Sequence, residues 1–262
     1  MEQLPDTISG EIITAKNGLF FLKVQNNNSR GEYLYTSLKL YYLFLHDFYV
    51  YSNIGGWICH DEISCLEREA RERQRMSSDR WPSVKTIGGI LSSDPKENPH
   101  FSDANHVFVP YCSSDSWSGT RKGSGKVGDQ RSFMGSYIVR EVIKELADTT
   151  ELLFGEELYL AGSSAGGTGV LVNIDAVASI VSKSGILVRG IIDSGWFLDN
   201  DPFFNNDASK TGVGPSSVKH ALQKGVKLWN ARVPSSCARE YPEMWQCFLG
   251  YKVFRFIKSK HY

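Results

Sequence analysis

The sequence predicts an α/β fold, a mostly parallel sheet flanked by helices, and three observations predict it. Short apolar runs bounded by turn residues recur along the chain, and between them lie stretches with apolar residues at helical spacing. One run, Leu158-Tyr-Leu-Ala, breaks into Gly162-Ser-Ser164-Ala-Gly166 and then enters a helical pattern through Val170, Leu171, Ile174 and Val177. A chain of 262 residues is long enough to bury one large core, and neither an internal repeat nor an interdomain linker interrupts it.

Taken in order, residues 1–35 alternate poorly and carry the polar tract Gln25–Gly31, which predicts an irregular or hairpin-like entry. Residues 38–53, rich in Tyr and Phe, predict sheet. Asp61 to Arg75 predicts a highly charged helix closed by Trp81-Pro82, and Gly88 to Pro99 predicts a loop rich in Gly, Ser, Pro and Asn. His106–Tyr111 reads as a buried strand. Phe133–Leu146 reads as an amphipathic helix with Ile138, Val139, Val142, Ile143 and Leu146 inward. The strand, turn and helix around Ser164 follow. Gly185–Asp193 predicts a further strand, Ser216–Trp229 a helix, and Gly250–Ile257 a final strand.

Lys+Arg and Asp+Glu both total 29, so no basic stripe points to nucleic acid and no acidic tail to a cationic partner. The run 38–54 is interrupted by His46 and Asp47 and is too short to span a membrane comfortably. Met1–Asp6 lacks the basic start and apolar core of a secretion signal. The five cysteines form no pattern of zinc-ligand spacing. Cys59/Cys65 and Cys237/Cys247 are close enough in sequence for local disulfides, and buried thiols are the alternative. Asn27-Asn28-Ser29 is a glycosylation sequon.

The turn at Ser164 carries the chemistry. A serine lifted onto a sharp strand-to-helix turn exposes its hydroxyl, and small neighbours are needed because the flanking elements pack closely. Ser164 is therefore the candidate nucleophile, and the backbone N–H of Ala165 the first donor to an oxyanion. A second donor is expected from a glycine loop after an early strand, and Gly55-Gly56-Trp57 stands there. A plain turn is the alternative reading of those glycines. Serine acyl transfer requires no metal or organic cofactor.

Several segments resemble the animal branch of the pectin acetylesterase family. They are Gly55-Gly-Trp57 with Cys59, Met76–Pro82, Gly89-Ile-Leu-Ser-Ser to Glu97-Asn-Pro99, Val109–Asp115 with Trp117-Ser-Gly119, Ala161–Val170, Asp193–Asn200, and Trp245–Phe248 to Gly250–Val253. The likeness runs in order over roughly 55–253. It implies an α/β-hydrolase-like core over 55–262, incomplete at its C-terminal edge, behind a divergent segment at 1–54. It further implies a secreted carboxylesterase that removes palmitoleate from a serine of a lipidated Wnt-type protein. By resemblance Ser164 is the nucleophile, Gly56, Trp57 and Ala165 form the oxyanion hole, and Trp57, Phe197 and Phe248 line the acyl pocket. It also implies Cys59–Cys65 and Cys237–Cys247 disulfides, with Cys112 left single.

The sequence departs from the family at both ends. The family's acid and histidine lie beyond the Gly-Tyr-Lys segment, so slow ester hydrolysis is expected of these 262 residues. After Ser164 only His220 and His261 remain, the first within a lysine-rich helix and the second next to last. Asp193 ends a strand and is expected to shape the turn after it; Asp115, Asp199 and Asp201 have no stronger claim as the acid. An inactive form that captures an acylated partner, and an acetylesterase acting on polysaccharide, are the competing readings.

Overall fold

Among the described residues six strands form one sheet, in the order β1 (Ser9–Ala15), β2 (Leu19–Gln25), β4 (Asn105–Pro110), β3 (Leu40–His46), β5 (Glu157–Ser163), β6 (Leu187–Asp193). The computed structural model describes residues 9–15, 19–25, 40–46, 57–79, 88–124, 131–200 and 217–259. β1 and β2 pair antiparallel as the hairpin expected near the N-terminus. β2, β4, β3, β5 and β6 all run parallel. The hairpin thus extends the sheet on the β4 side, and the two strands that flank Ser164 lie at the other end.

Parallel neighbours need crossovers, and helices supply them. α2 (Gly135–Thr149) joins β4 to β5, and α3 (Ala165–Val181) joins β5 to β6. All five residues predicted to face inward on α2 are buried, packed with Val107, Val109, Leu158 and Leu160 of the sheet. α3 is buried on every side from Ala165 to Ile174, as its unbroken run of small and apolar residues requires. Its second cover is the C-terminal segment, through Val253 and Ile257.

α1 (Glu62–Arg71) begins where Asp61 caps it. Asp61 Oδ1 accepts from Ser64 N at 2.9 Å, and Ser64 Oγ accepts from Asp61 N at 3.0 Å. The expected helix over 61–75 breaks into a 3₁₀ turn at Arg73–Arg75. Gly88–Pro99 is loop apart from a 3₁₀ turn at Gly89–Leu91. α4 (Val218–Leu228) and a short α5 (Ser235–Glu240) complete the described order up to residue 240.

The predicted strand at Gly250–Ile257 is instead α6 (Gly250–Val253) followed by a 3₁₀ turn at Phe254–Phe256. Leu249, Val253 and Ile257 carry the buried apolar side chains, four residues apart, and four is a helical spacing. The aromatic residues between them gave the run its strand-like composition. Gly55, Gly56, Trp81-Pro82, Asp201 and His261 lie outside the described residues.

Cys59–Cys65 and Cys237–Cys247 are disulfides, with Cα separations of 4.8 and 6.0 Å. The first fixes the entry to α1, where Cys59 N donates to Ser114 O at 3.0 Å and Trp229 Nε1 donates to Cys59 O at 2.8 Å. Cys112 is the free cysteine. Burial, reinforced by Asp115, pushes its thiol up to about 12, so the thiolate is scarce at neutral pH. Native protein treated with iodoacetamide at pH 8 is therefore expected to react at Cys112, which is partly exposed, far more slowly than protein in urea, as peptide mass spectrometry would show. Rapid labelling of the native protein would contradict the burial argument.

Candidate active site

Ser164 stands between the end of β5 and the first residue of α3, with φ 54° and ψ −119°. A non-glycine residue in that region costs about 1–3 kcal/mol and persists only where its surroundings over-determine it. Here they do. Ser164 N donates to Asp193 O at 2.9 Å, Thr168 N donates to Ser164 O at 3.1 Å, and Ser163 Oγ donates to Asp193 Oδ2 at 2.7 Å. Ser163 and Asp193 are register partners across β5 and β6, so the sheet itself delivers this clamp. A Cβ at Gly162 would strike the Gly166 carbonyl, and a Cβ at Gly195 would come within 2.7 Å of Gly167 Cα. Those contacts are why the strand–turn–helix needs its small residues. Ser164 is partly exposed between buried Ser163 and Ala165, and Ala165 opens α3 with its amide at the helix N-terminus.

Asp193 belongs to this turn. Besides holding Ser163, it accepts from Ser194 Oγ at 3.1 Å, and Ser194 has φ 50°. Ser163 is 3% exposed, so removing its acceptor leaves a buried hydroxyl unpaired. Asp193→Ala is expected to cost about 1–2 kcal/mol, read by urea denaturation; no change beyond 0.3 kcal/mol would mean that water replaces the carboxylate at roughly equal strength.

A second strained loop supports α3 from the β4 side. Ser114, Ser116 and Trp117 have φ of 50°, 49° and 59° around a fully buried Asp115. Asp115 Oδ1 accepts from Ser113 Oγ at 2.5 Å and Trp117 N at 3.0 Å; Oδ2 accepts from Gly119 N at 3.1 Å and Gly135 N at 2.8 Å. Burial pushes this carboxyl above its ordinary range, and the four donors pull against that. Trp117 lies against Gly169 of α3, and Asn173 Nδ2 donates to Trp117 O at 2.8 Å.

Trp57 and Phe197 meet edge to face at 5.8 Å between ring centres, and both pack against the apolar cluster that contains Phe248. Phe248 is fully buried and lies against Trp229, so it backs this surface while Trp57 and Phe197 reach solvent. The Trp57 carbonyl accepts from Arg68 Nη2 at 3.2 Å, and Arg68 Nε donates to Ser114 Oγ at 2.5 Å. Glu72 bridges Arg68 and Arg75 at 3.4 and 2.9 Å, and all three are buried. Sequence reasoning missed this network. Its signal was three charges spaced four and three apart on one side of a charged helix.

His220 is exposed on α4, as its lysine-rich surroundings predicted. Asp199 accepts from Tyr251 Oη at 2.7 Å and pairs with Lys252 at 3.3 Å, bonds that hold its carboxyl below the usual range. Among the described residues no imidazole hydrogen-bonds Ser164, and no group of His, Cys, Asp and Glu is arranged to hold a metal ion.

A parallel sheet crossed by helices, with a strained serine at a strand-to-helix elbow, defines an α/β-hydrolase. The chain belongs to the pectinacetylesterase family, whose model matches residues 46–262. It is similar to the palmitoleoyl-protein carboxylesterase notum1' of Xenopus laevis, 46% identical over 214 residues, which are 78% of this chain and 42% of the relative. The palmitoleoyl-protein carboxylesterase NOTUM of Homo sapiens is 46% identical over 205 residues, 76% of this chain and 40% of the relative. The structure of the Wnt deacylase Notum from Drosophila superposes with a TM-score of 0.74 at 40% identity, covering 85% of this chain and 61% of that one. The chain thus spans about two fifths of the length of these curated relatives.

Proposed function

We propose that this protein is a serine carboxylesterase that removes a palmitoleoyl group from a Wnt-type secreted protein, with Ser164 as nucleophile. The carrying observation is the elbow: a serine at φ 54° pinned from two sides, at the mouth of a helix whose first amide belongs to Ala165. Attack by Ser164 Oγ on the ester carbonyl places negative charge on the carbonyl oxygen, and the amides of Ala165, Trp57 and Gly56 are the proposed donors to it. Trp57 and Phe197, backed by Phe248, offer an apolar surface for the acyl chain. Burying a long chain gains about 0.8 kcal/mol per CH₂, a gain that acetate cannot collect, which favours a fatty acyl group over an acetylated polysaccharide.

The imidazole that takes the Ser164 proton is not among the described residues near the elbow, so we propose slow turnover by residues 1–262 alone. The same observation favours a second reading, in which the chain captures an acylated partner without hydrolysing it. One experiment separates the two. A palmitoleoyl-serine peptide and its acetyl counterpart are incubated with residues 1–262, and with the same chain followed by the downstream segment of its relatives. The esterase reading expects release of palmitoleate in preference to acetate, faster in the extended chain. Binding of the acyl peptide with no release in either form supports capture; preference for acetate overturns the fatty-acyl assignment.

A further inference from the structure

We infer that a groove beside α4 binds a monoanionic amphiphile, a medium- or long-chain carboxylate. It encloses about 610 Å³, within the range of small-molecule sites, and lies between α4 and the segment Pro242–Trp245. One wall carries His220, Lys224 and Lys227, spaced four and three apart so that they share a helix face. Lys224 is engaged with Asp61 at 3.0 Å. Among the described residues no ion-pair partner meets His220 or Lys227, which leaves two cationic or protonatable groups for an incoming anion.

The opposite side, Pro242–Trp245, is apolar apart from Glu243: Met244 is 37% exposed there, and Trp245, itself 5% exposed, also lines the groove. Lys219 and Lys252 stand over the Trp245 ring at 5.9 and 5.6 Å, adding to the positive field. Glu243 is the single acid of the lining, and it sets the charge of the ligand. A polyanion would bring excess negative charge against it, whereas one carboxylate can sit toward Lys227 and His220 with its apolar tail over Met244 and Trp245. This site stands independently of the esterase reading, since none of its residues belongs to the elbow.

The test uses octanoate, with uncharged octanol as its control, titrated into Ser164→Ala protein so that hydrolysis plays no part. The readout is the indole N–H resonance of Trp245, assigned by Trp245→Phe. A saturable shift with octanoate, at least fivefold weaker with octanol and at least tenfold weaker in His220→Gln/Lys227→Gln, is the expected result. Both substituted residues are exposed, so folding is preserved, and circular dichroism verifies it. No shift at millimolar octanoate, equal response to octanol, or an unchanged affinity in the double variant overturns the inference.

Discussion

Ser164→Ala is expected to abolish release of palmitoleate from an acylated serine peptide, in residues 1–262 and in the extended chain alike. In the extended chain the fall should approach the roughly 10⁶-fold loss seen when a serine hydrolase loses its nucleophile. The substitution removes one oxygen and keeps the Cβ, so the strain at φ 54° is carried by alanine much as by serine, and the melting temperature should hold. The helix N-terminus at Ala165 and the surface of Trp57 and Phe197 also survive, so the variant should still bind the acyl peptide. What remains is about 10³–10⁴-fold acceleration over water from the oxyanion donors and binding alone. For residues 1–262 the same logic predicts a small starting rate, because no described imidazole reaches Ser164 to take its proton. Liquid chromatography of the released fatty acid measures all four proteins on one scale. Equal turnover by Ser164→Ala and the parent would place the nucleophile elsewhere and end the reading.

Much of this architecture was legible because its geometry tolerates few residues. Gly162 and Gly166 flank Ser164 because a Cβ at Gly162 would meet the backbone of the next turn, so sequence and conformation imply each other there. The inward face of α2 was legible for a simpler reason: burial of Ile138, Val139, Val142, Ile143 and Leu146 follows helical periodicity without exception. The segment Gly250–Ile257 misled because its aromatic residues suit a strand, while burial at Leu249, Val253 and Ile257 comes from packing that only the fold defines. The network of Arg68, Glu72 and Arg75 was hidden for the opposite reason. Charges on a charged helix normally face water, and only contact with Ser114 and the Trp57 carbonyl turns this face inward. Asp115 was likewise read as one loop carboxylate among several. A single residue type cannot announce that four donors converge on it from positions 113, 117, 119 and 135.

That convergence makes Asp115 the expected weak point of the fold. Asp115→Ala deletes the acceptor for three backbone amides, of Trp117, Gly119 and Gly135, in a site with no exposure at all. The Ser113 hydroxyl can rotate elsewhere, but the amides cannot, and each orphaned buried donor costs about 1–3 kcal/mol. A loss of roughly 3–5 kcal/mol is expected after partial relaxation, or roughly 6–20 °C in melting temperature at about 2–4 °C per kcal/mol. Asp115→Asn should cost less, about 1–3 kcal/mol, because its NH₂ faces only the Trp117 amide when turned toward the Oδ1 side, where Ser113 can accept. The pH dependence separates charge from shape. Burial holds the Asp115 carboxyl above its ordinary range, so its contribution to stability is full below that range and declines as pH rises through the raised value. Asp61 has the opposite sign: the Ser64 amide holds its carboxyl low, and its contribution is present above the ordinary range and lost as pH falls through the lowered value. Urea denaturation of the parent and Asp115→Asn between pH 4 and 8 should therefore show the gap between them narrowing as pH rises, since the parent alone bears the growing cost of a buried charge. A gap that widens with pH would mean that the four donors outweigh burial and that the carboxylate is the favoured form. An Asp115→Ala protein within 1 kcal/mol of the parent would mean that the loop after β4 rearranges to pair its amides, and that it does not fix α3 beneath Ser164.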